Sequence, residues 1–173
     1  MAVTVRQLGE ADAAAYRDLR LRLLQDSPAS YGSTYELEVV RPVEHTAARL
    51  RALQDDNEGF TLGAFADDGA TLVGMATLRR NDGPKLRHRA TIFAMGVAPE
   101  SRGQRIGRAL LDELLSRART IPGLEQIYLT VVIPNDAARQ LYRSCGFVTF
   151  GIDERGLKLG DQYWDELQMV LFL

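Results

Sequence analysis

The sequence predicts an α/β chain of the α+β, mixed-sheet kind: a mostly antiparallel sheet with at least one parallel pair, flanked by about four helices. Three observations predict it. The turn signals Asp67-Asp68-Gly69 and Asn81-Asp82-Gly83-Pro84 join three apolar runs, residues 60–66, 71–78 and 89–97, into an antiparallel meander. A strongly amphipathic stretch follows at 103–119, where Ile106, Leu110, Leu114 and Ala118 recur at four-residue steps. Strand and helix then alternate, and a strand that returns through a helix pairs in parallel with the one before it.

The remaining elements follow in order. Val3 and Val5 alternate with polar neighbours as a short first strand. A helix follows from Glu10, with Ala14, Tyr16, Leu21, Leu23 and Leu24 as its apolar face, and Pro28 closes it. Residues 29–41 mix Tyr, Ser, Gly, Thr and Glu, and no pattern in them assigns an element. A second helix spans 43–54, entered through Pro42. After the meander and the amphipathic helix, Ile127, Leu129, Val131 and Ile133 alternate as a strand. A short helix at 136–144 carries Ala138, Leu141, Tyr142 and Cys145 on one face, and Gly146 stops it. Two last strands, near 147–152 and 164–172, flank a Gly-rich turn.

Composition narrows the function. The chain has 173 residues, 46% of them hydrophobic and 25% charged, which suits one globular domain over 1–173. Its net charge of −2 speaks against a nucleic-acid binder. Cys145 is the single cysteine, so no internal disulfide forms, and His45 and His88 stand apart with no cysteine beside them, so no metal site is expected. No run free of Asp, Glu, Lys and Arg exceeds ten residues, too short for a membrane span, and the start Met1-Ala2-Val3-Thr4-Val5-Arg6 lacks a signal-peptide layout. A cytoplasmic protein is the default expectation.

The turn between the meander and the amphipathic helix is the first candidate site. A helix N-terminus offers free N–H groups and partial positive charge to an anion. Gly103 and Gly107 let backbone approach a ligand, and Arg102, Arg105 and Arg108 add charge. A Walker loop needs Gly-Lys-Ser/Thr, which is absent, and a dinucleotide fingerprint needs three glycines early in the chain. Phosphate binding and a plain surface turn both remain open from the turn alone.

Two motifs carry a resemblance. Val97-Ala98-Pro99-Glu100-Ser101-Arg102-Gly103-Gln104-Arg105-Ile106-Gly107-Arg108-Ala109-Leu110-Leu111 resembles the acyl-CoA-binding segment of the GNAT superfamily of N-acetyltransferases, which reads Arg/Gln-x-x-Gly-x-Gly/Ala. Asn135-Asp136-Ala137-Ala138-Arg139-Gln140-Leu141-Tyr142-Arg143-Ser144-Cys145-Gly146-Phe147 is similar to that family's Asn-x-x-Ala-x-x-Leu-Tyr-x-x-x-Gly-Phe segment. Pro28-Ala29-Ser30-Tyr31-Gly32-Ser33 also looks like the helix-connecting segment of many members. Arg105 departs from the pattern at a position that is usually glycine, and a positive φ there would strain it. The resemblance implies a GNAT-like fold with one splayed parallel strand pair and acetyl-CoA as cosubstrate without metal. It implies an amine acceptor, small or peptidic, in a monomer or homodimer; charge and the short apolar runs already speak against a nucleic acid or membrane partner. It implies that Met95, Gly96, Val97, residues 102–108 (Gln104 and Ile106 among them) and Asn135 hold the cosubstrate, and that Tyr31 and Ser33 face the acceptor.

The chemistry then has three needs. A lysine-like amine of pKa about 10.4 is neutral in only about 4 of 10,000 molecules at pH 7, so its proton must be removed. The thioester carbonyl must be polarised; Gly96 suggests a bulge or a close backbone approach in that strand, or plain packing against an aromatic ring. The leaving thiolate must be protonated, and Tyr142 stands where the family usually has its general acid, though a core tyrosine reads the same way in isolation. The strand 90–95 carries no glutamate, and Glu36 is the candidate base, beside a water relay. Cys145 has no positioned histidine and reads as core. The basic run of Arg79, Arg80, Lys85, Arg87, His88 and Arg89 is a solvated hairpin or a contact for anions. Tyr163, Trp164 and Asp165 suit an acceptor pocket or a dimer contact. The expected activity is N-acetyl transfer by direct attack in a ternary complex; the alternative is an acyl-CoA-binding regulatory module without turnover.

Overall fold

Two neighbouring strands inside the sheet are buried on both faces. β2 (Gly59–Phe65) and β3 (Leu72–Arg80) are apolar almost throughout and nearly all buried, as strands covered on both sides must be. The computed structural model describes residues 3–55 and 59–173; Met1 and Ala2 of the leader segment considered above lie outside them. In it, seven strands form one sheet in the order β1-β2-β3-β4-β5-β7-β6, with β1 at Thr4–Gln7, β4 at Arg89–Val97, β5 at Gln126–Val132, β6 at Val148–Leu159 and β7 at Gln162–Phe172. All neighbours are antiparallel except β4 and β5.

Adjacent residues of a strand point to opposite faces, and two glycines show what covers each. A Cβ on Gly74 would meet Leu110 and Ile106 of α4 (Ile106–Ala118), whereas one on Gly96 would meet Leu23 of α1 (Ala13–Asp26). Gly74 is in register with Val97, and Met75 with Gly96. The sheet therefore lies between α1 and α4. α3 (Val43–Asp55) packs beside α1, and α5 (Asp136–Ser144) follows β5. No helix among the described residues is long and apolar enough to cross a membrane.

The structure corrects several expectations. The buried face of α1 is Ala13, Tyr16, Leu19, Leu23 and Leu24, while Ala14 is exposed and Leu21 half-buried. Ala13, Tyr16, Leu19 and Leu23 recur at the three- and four-residue steps of one face, and Ala14 stands about 100° from Ala13; a 3-10 turn at Glu10–Asp12 leads into the helix, tied by the Asp12 carboxylate to Arg6 (2.7 and 2.9 Å) and to the Gly9 N–H (2.9 Å). Residues 29–41 contain a fifth helix, α2 (Tyr35–Val39), where the Leu37 N–H donates to Thr34 Oγ1 at 3.4 Å. α4 starts three residues later than expected, because Gly103 (φ 74°) and Arg105 (φ 61°) are both left-handed and no helix passes through them. β6 and β7 run longer than expected, with register shifts between Thr149 and Gly151 and between Asp153 and Leu157.

β4 and β5 shape the site. They pair over three positions only, Arg89 with Gln126 to Thr91 with Tyr128, and then part. In the parted half, Thr77 faces Phe93 and Met75 faces Gly96, so Ala94 and Met95 stand opposite the single residue Ala76. The bulge is therefore centred on Ala94 (φ 49°) rather than on Gly96. Gly96 serves the close approach instead: a Cβ there would lie 2.6 Å from both Leu23 Cδ1 and Tyr31 Oη. Gly96→Ala must push both side-chain ends aside. We expect a loss of about 1–3 kcal/mol, measured as a lower denaturant midpoint at unchanged slope; no shift would show that this contact is not tight.

Candidate active site

The parting strands open a cavity of about 1270 Å³. Its walls are the C-terminal halves of β4 and β5, the start of α4, α5, and the segment between α1 and α2.

One end is the turn before α4. Arg102 Nε donates to the Val97 carbonyl at 3.2 Å, and its Nη2 pairs with the Asp26 carboxylate. Ser27 and then Arg102 hold Asp26 below the usual carboxylate range. Arg105 occupies the N-cap in the left-handed conformation, and no side chain caps this end. The first N–H groups of α4 are thus left for a ligand. Gly107 is needed for packing as well: a Cβ would come within 3.2 Å of Leu141 Cδ2 on α5. Arg102, Gly103, Arg105, Ile106, Gly107 and Arg108 all line the cavity. Gln104 does not; it is exposed, and its Nε2 donates to the Glu100 carbonyl at 3.5 Å, so its side chain braces the turn from outside.

The middle of the cavity is lined by Met95, Gly96, Val97, Asn135 and Tyr142. Asn135 Oδ1 accepts from the Ala138 N–H at 3.1 Å and so starts α5, while its Nδ2 donates to Ser30 Oγ at 3.4 Å. Tyr142 is 7% exposed and packs edge-on against Phe147, 5.9 Å between ring centres. Burial, with nearby Tyr31, pushes its phenol well above the ordinary value, so it carries its proton at neutral pH.

The far end is walled by α1, α2 and α3. Tyr31 and Ser33 both line it. The Tyr31 hydroxyl donates to the Met95 carbonyl at 3.4 Å, and burial raises its pKa. Ser33 Oγ donates to Glu38 Oε1 at 2.8 Å. Glu36 is exposed and lies outside the cavity wall; Glu38 lines it instead. Positions two apart on a helix differ by about 200°, so Glu36 and Glu38 leave α2 on nearly opposite faces. Burial pushes the Glu38 carboxyl up, but the Ser33 hydroxyl and the cations of Arg41, Arg20 and Arg49 outweigh it, and the group stays below the usual range. Glu166 of β7 also lines the cavity, and there burial wins: its pKa is raised despite the Thr130 hydroxyl, with Asp153 adding to the rise. Sequence reasoning missed Glu166 because no local motif marks it; it reaches the site through its register with Val132 of β5.

Other candidates lie elsewhere. Cys145 is half-buried outside the cavity wall, 3.9 Å from Ser144 Oγ. Of the basic run only Arg79 lines the cavity, paired to Asp82 at 3.4 Å; Arg80 donates to the carbonyls of Arg87 and Pro122, and Arg89 stacks on Tyr128 at 3.9 Å. Tyr163 lies outside the cavity, between Arg155 and Lys158. No cluster of metal-ligating side chains occurs among the described residues.

Comparison with known proteins places this architecture. Residues 22–147 match the family described as acetyltransferase (GNAT). N-alpha-acetyltransferase RimI of Mycobacterium tuberculosis is 32% identical over 154 residues, covering 88% of this chain and 83% of that protein. Mycothiol acetyltransferase of Thermobispora bispora is 38% identical over 148 residues, 82% of this chain but 45% of that protein, so this chain spans less than half of it. Among solved structures, a GNAT-family acetyltransferase from Streptococcus pneumoniae superposes with a TM-score of 0.90 at 23% identity, over 99% of this chain and 100% of that one. A phosphinothricin acetyltransferase from Sinorhizobium meliloti, solved in complex with AcCoA, gives 0.86 at 21% identity, over 100% and 89%. These two establish the fold. With the family match running through both walls of the parted strands, the chain belongs to the acetyltransferase (GNAT) family.

Proposed function

We propose that this protein moves an acetyl group from acetyl-CoA to a primary amine, with both substrates bound together. One observation carries the reading: the gap between β4 and β5 and the uncapped start of α4 open into the same cavity. An extended arm can take up the strand backbone that β5 leaves unpaired, and phosphates suit the helix end. The fit is chemical as well as spatial, since Arg105 adds a cation to the N–H groups that no side chain covers.

In the transfer, the ammonium first gives up one proton, the freed lone pair forms the C–N bond, the C–S pair leaves on sulfur and takes up a proton, and a second proton leaves nitrogen as the amide forms. For each of these movements the cavity wall supplies a residue of suitable chemistry. The bulge at Ala94 and Met95 leaves backbone polar groups without a ladder partner, placed to polarise the carbonyl. Tyr142 meets the sulfur as a donor; its desolvated phenol gives a hydrogen bond first and its proton only as charge builds on the thiolate. Glu166 is the cavity carboxylate whose pKa is raised, so it is the one suited to receive the amine proton, directly or through water. Cys145 lies outside the cavity, which supports direct attack over a cysteinyl intermediate.

Three outcomes follow. Acetyl-CoA should raise the melting temperature of the wild type by mass action, and Gly107→Asp should abolish the shift by putting a carboxylate into the cavity wall between Leu141, Met95 and Val97. Tyr142→Phe should lower kcat about 10²–10⁴-fold while the acetyl-CoA affinity holds; equal kcat, with chemistry limiting, would remove Tyr142 from the reaction. As a base, Glu166 works only ionised, so kcat/KM should fall as pH drops through its raised pKa. Glu166→Gln should erase that acidic limb and cost about 10²-fold or more at neutral pH, as a pH–rate profile will show.

A further inference from the structure

Six arginines line the cavity: Arg20, Arg49, Arg79, Arg102, Arg105 and Arg108. Three are neutralised at short range, Arg79 by Asp82, Arg102 by Asp26 and Arg108 by Asp112. Arg105 heads α4 at the phosphate end. Arg20 of α1 and Arg49 of α3 lie at the other end, and among the described residues neither has an ion-pair partner.

Arg20 is the more constrained. Its guanidinium stacks over the Tyr31 ring, 4.6 Å from the ring centre. Its Nη1 is enclosed by protein without a hydrogen-bond acceptor. Arg89 and Arg139 also enclose an unpartnered nitrogen, but neither lines the cavity. The carboxylate whose field Arg20 feels, Glu38, is already held by Ser33 and by Arg41 at 3.1 Å. The far end therefore carries more positive charge than its own carboxylates take up. Arg20 is half-buried and lines the cavity, so an anion entering there meets a cation that no carboxylate among the described residues pairs with. Tyr31 links this cation to the reacting centre: one face meets Arg20, and its hydroxyl reaches the Met95 carbonyl at the bulge.

We infer that the acceptor is an amine bearing a carboxylate, as in an amino acid, held by Arg20 with Arg49 adding attraction, and that cationic polyamines are rejected there. The inference rests on the acetyl-transfer reading, names its substrate class and makes Arg20 a specificity-determining residue. The bond changes are those of the transfer described above.

The test measures CoA thiol release by the full chain with matched acceptors: amino acids, their carboxamides, and spermidine as the cationic control. We expect kcat/KM for the acid to exceed that for its amide about 10–100-fold, the range of a hydrogen bond to a charged group. Arg20→Gln should raise KM for the acid far more than it lowers kcat and bring the acid-to-amide ratio towards one, and Arg20→Lys should restore part of it. If Arg20→Gln does not fold, Arg49→Gln, at an exposed position, should narrow the same ratio by a smaller factor. Equal use of acid and amide, preference for spermidine, or equal loss of both in Arg20→Gln would overturn the inference. If the wild type shows an acetyl-CoA melting shift but turns over no acceptor, calorimetric titration of the acids into the CoA-loaded protein decides, and no binding overturns it. A wild type without the acetyl-CoA shift overturns the acetyl-transfer reading itself, and the inference falls with it.

Discussion

The separation of β4 from β5 is the constraint on which the rest depends. Two parallel strands that pair at Arg89–Thr91 would gain by continuing. Here they do not, and residues 92–97 lose their β5 ladder on that side; the Tyr31 hydroxyl and Arg102 reach the Met95 and Val97 carbonyls in place of a strand. Local features hold the gap open. The left-handed Ala94 bends β4 away, and Asn135 starts α5 so that Tyr142 and Leu141 stand in the wedge. Gly96 lets α1 come close enough to back the bent strand with Leu23 and Tyr31.

Charge is distributed along that gap by exclusion. α1 alone carries Arg17, Arg20 and Arg22, and each has a different fate. Arg17 donates to the carbonyls of Val39 and Arg41 and ties α2 down. Arg22 reaches out to Glu100 beside the α4 turn. Arg20 alone faces the cavity. The end of the cavity at α4 and the end at α1 and α3 thus each hold a cation without an ion-pair partner among the described residues, while exposed pairs such as Arg108 with Asp112 contribute little to stability and mainly fix side chains in place.

What the sequence disclosed, and what it did not, divides along physical lines. Periodicity and turn chemistry are local, so β4 at Arg89–Val97 and α5 at Asp136–Ser144 were legible to the residue. The start of α4 was not, because left-handed backbone at Gly103 and Arg105 leaves no mark on an apolar repeat. The bulge was sensed at Gly96 yet sits at Ala94, since a glycine needed for close approach reads the same as one needed for its φ. Of the site, Tyr142, Asn135 and the glycine turn travel in motifs and could be named. Glu38 was displaced by its neighbour Glu36 because five residues give no helical phase to read. Glu166 and Arg20 depend on sheet register and on which of several arginines finds a partner, and both are settled only by tertiary contacts.

The two register shifts in β6 have a consequence for the molecule's solubility. β6 is the last strand of the sheet, twelve residues long, and Val148, Phe150 and Ile152 along it are 53–59% exposed. A flat apolar strand with one free edge is a template for pairing with another chain. The bulges break its straightness at two places, one within the apolar run and one directly after it, and Asp153, Glu154, Arg155 and Lys158 follow with charge of both signs. A foreign strand would meet no continuous row of N–H and C=O groups to zip onto. The irregularity of this hairpin is thus a guard against edge-to-edge aggregation, built where the apolar surface makes one necessary.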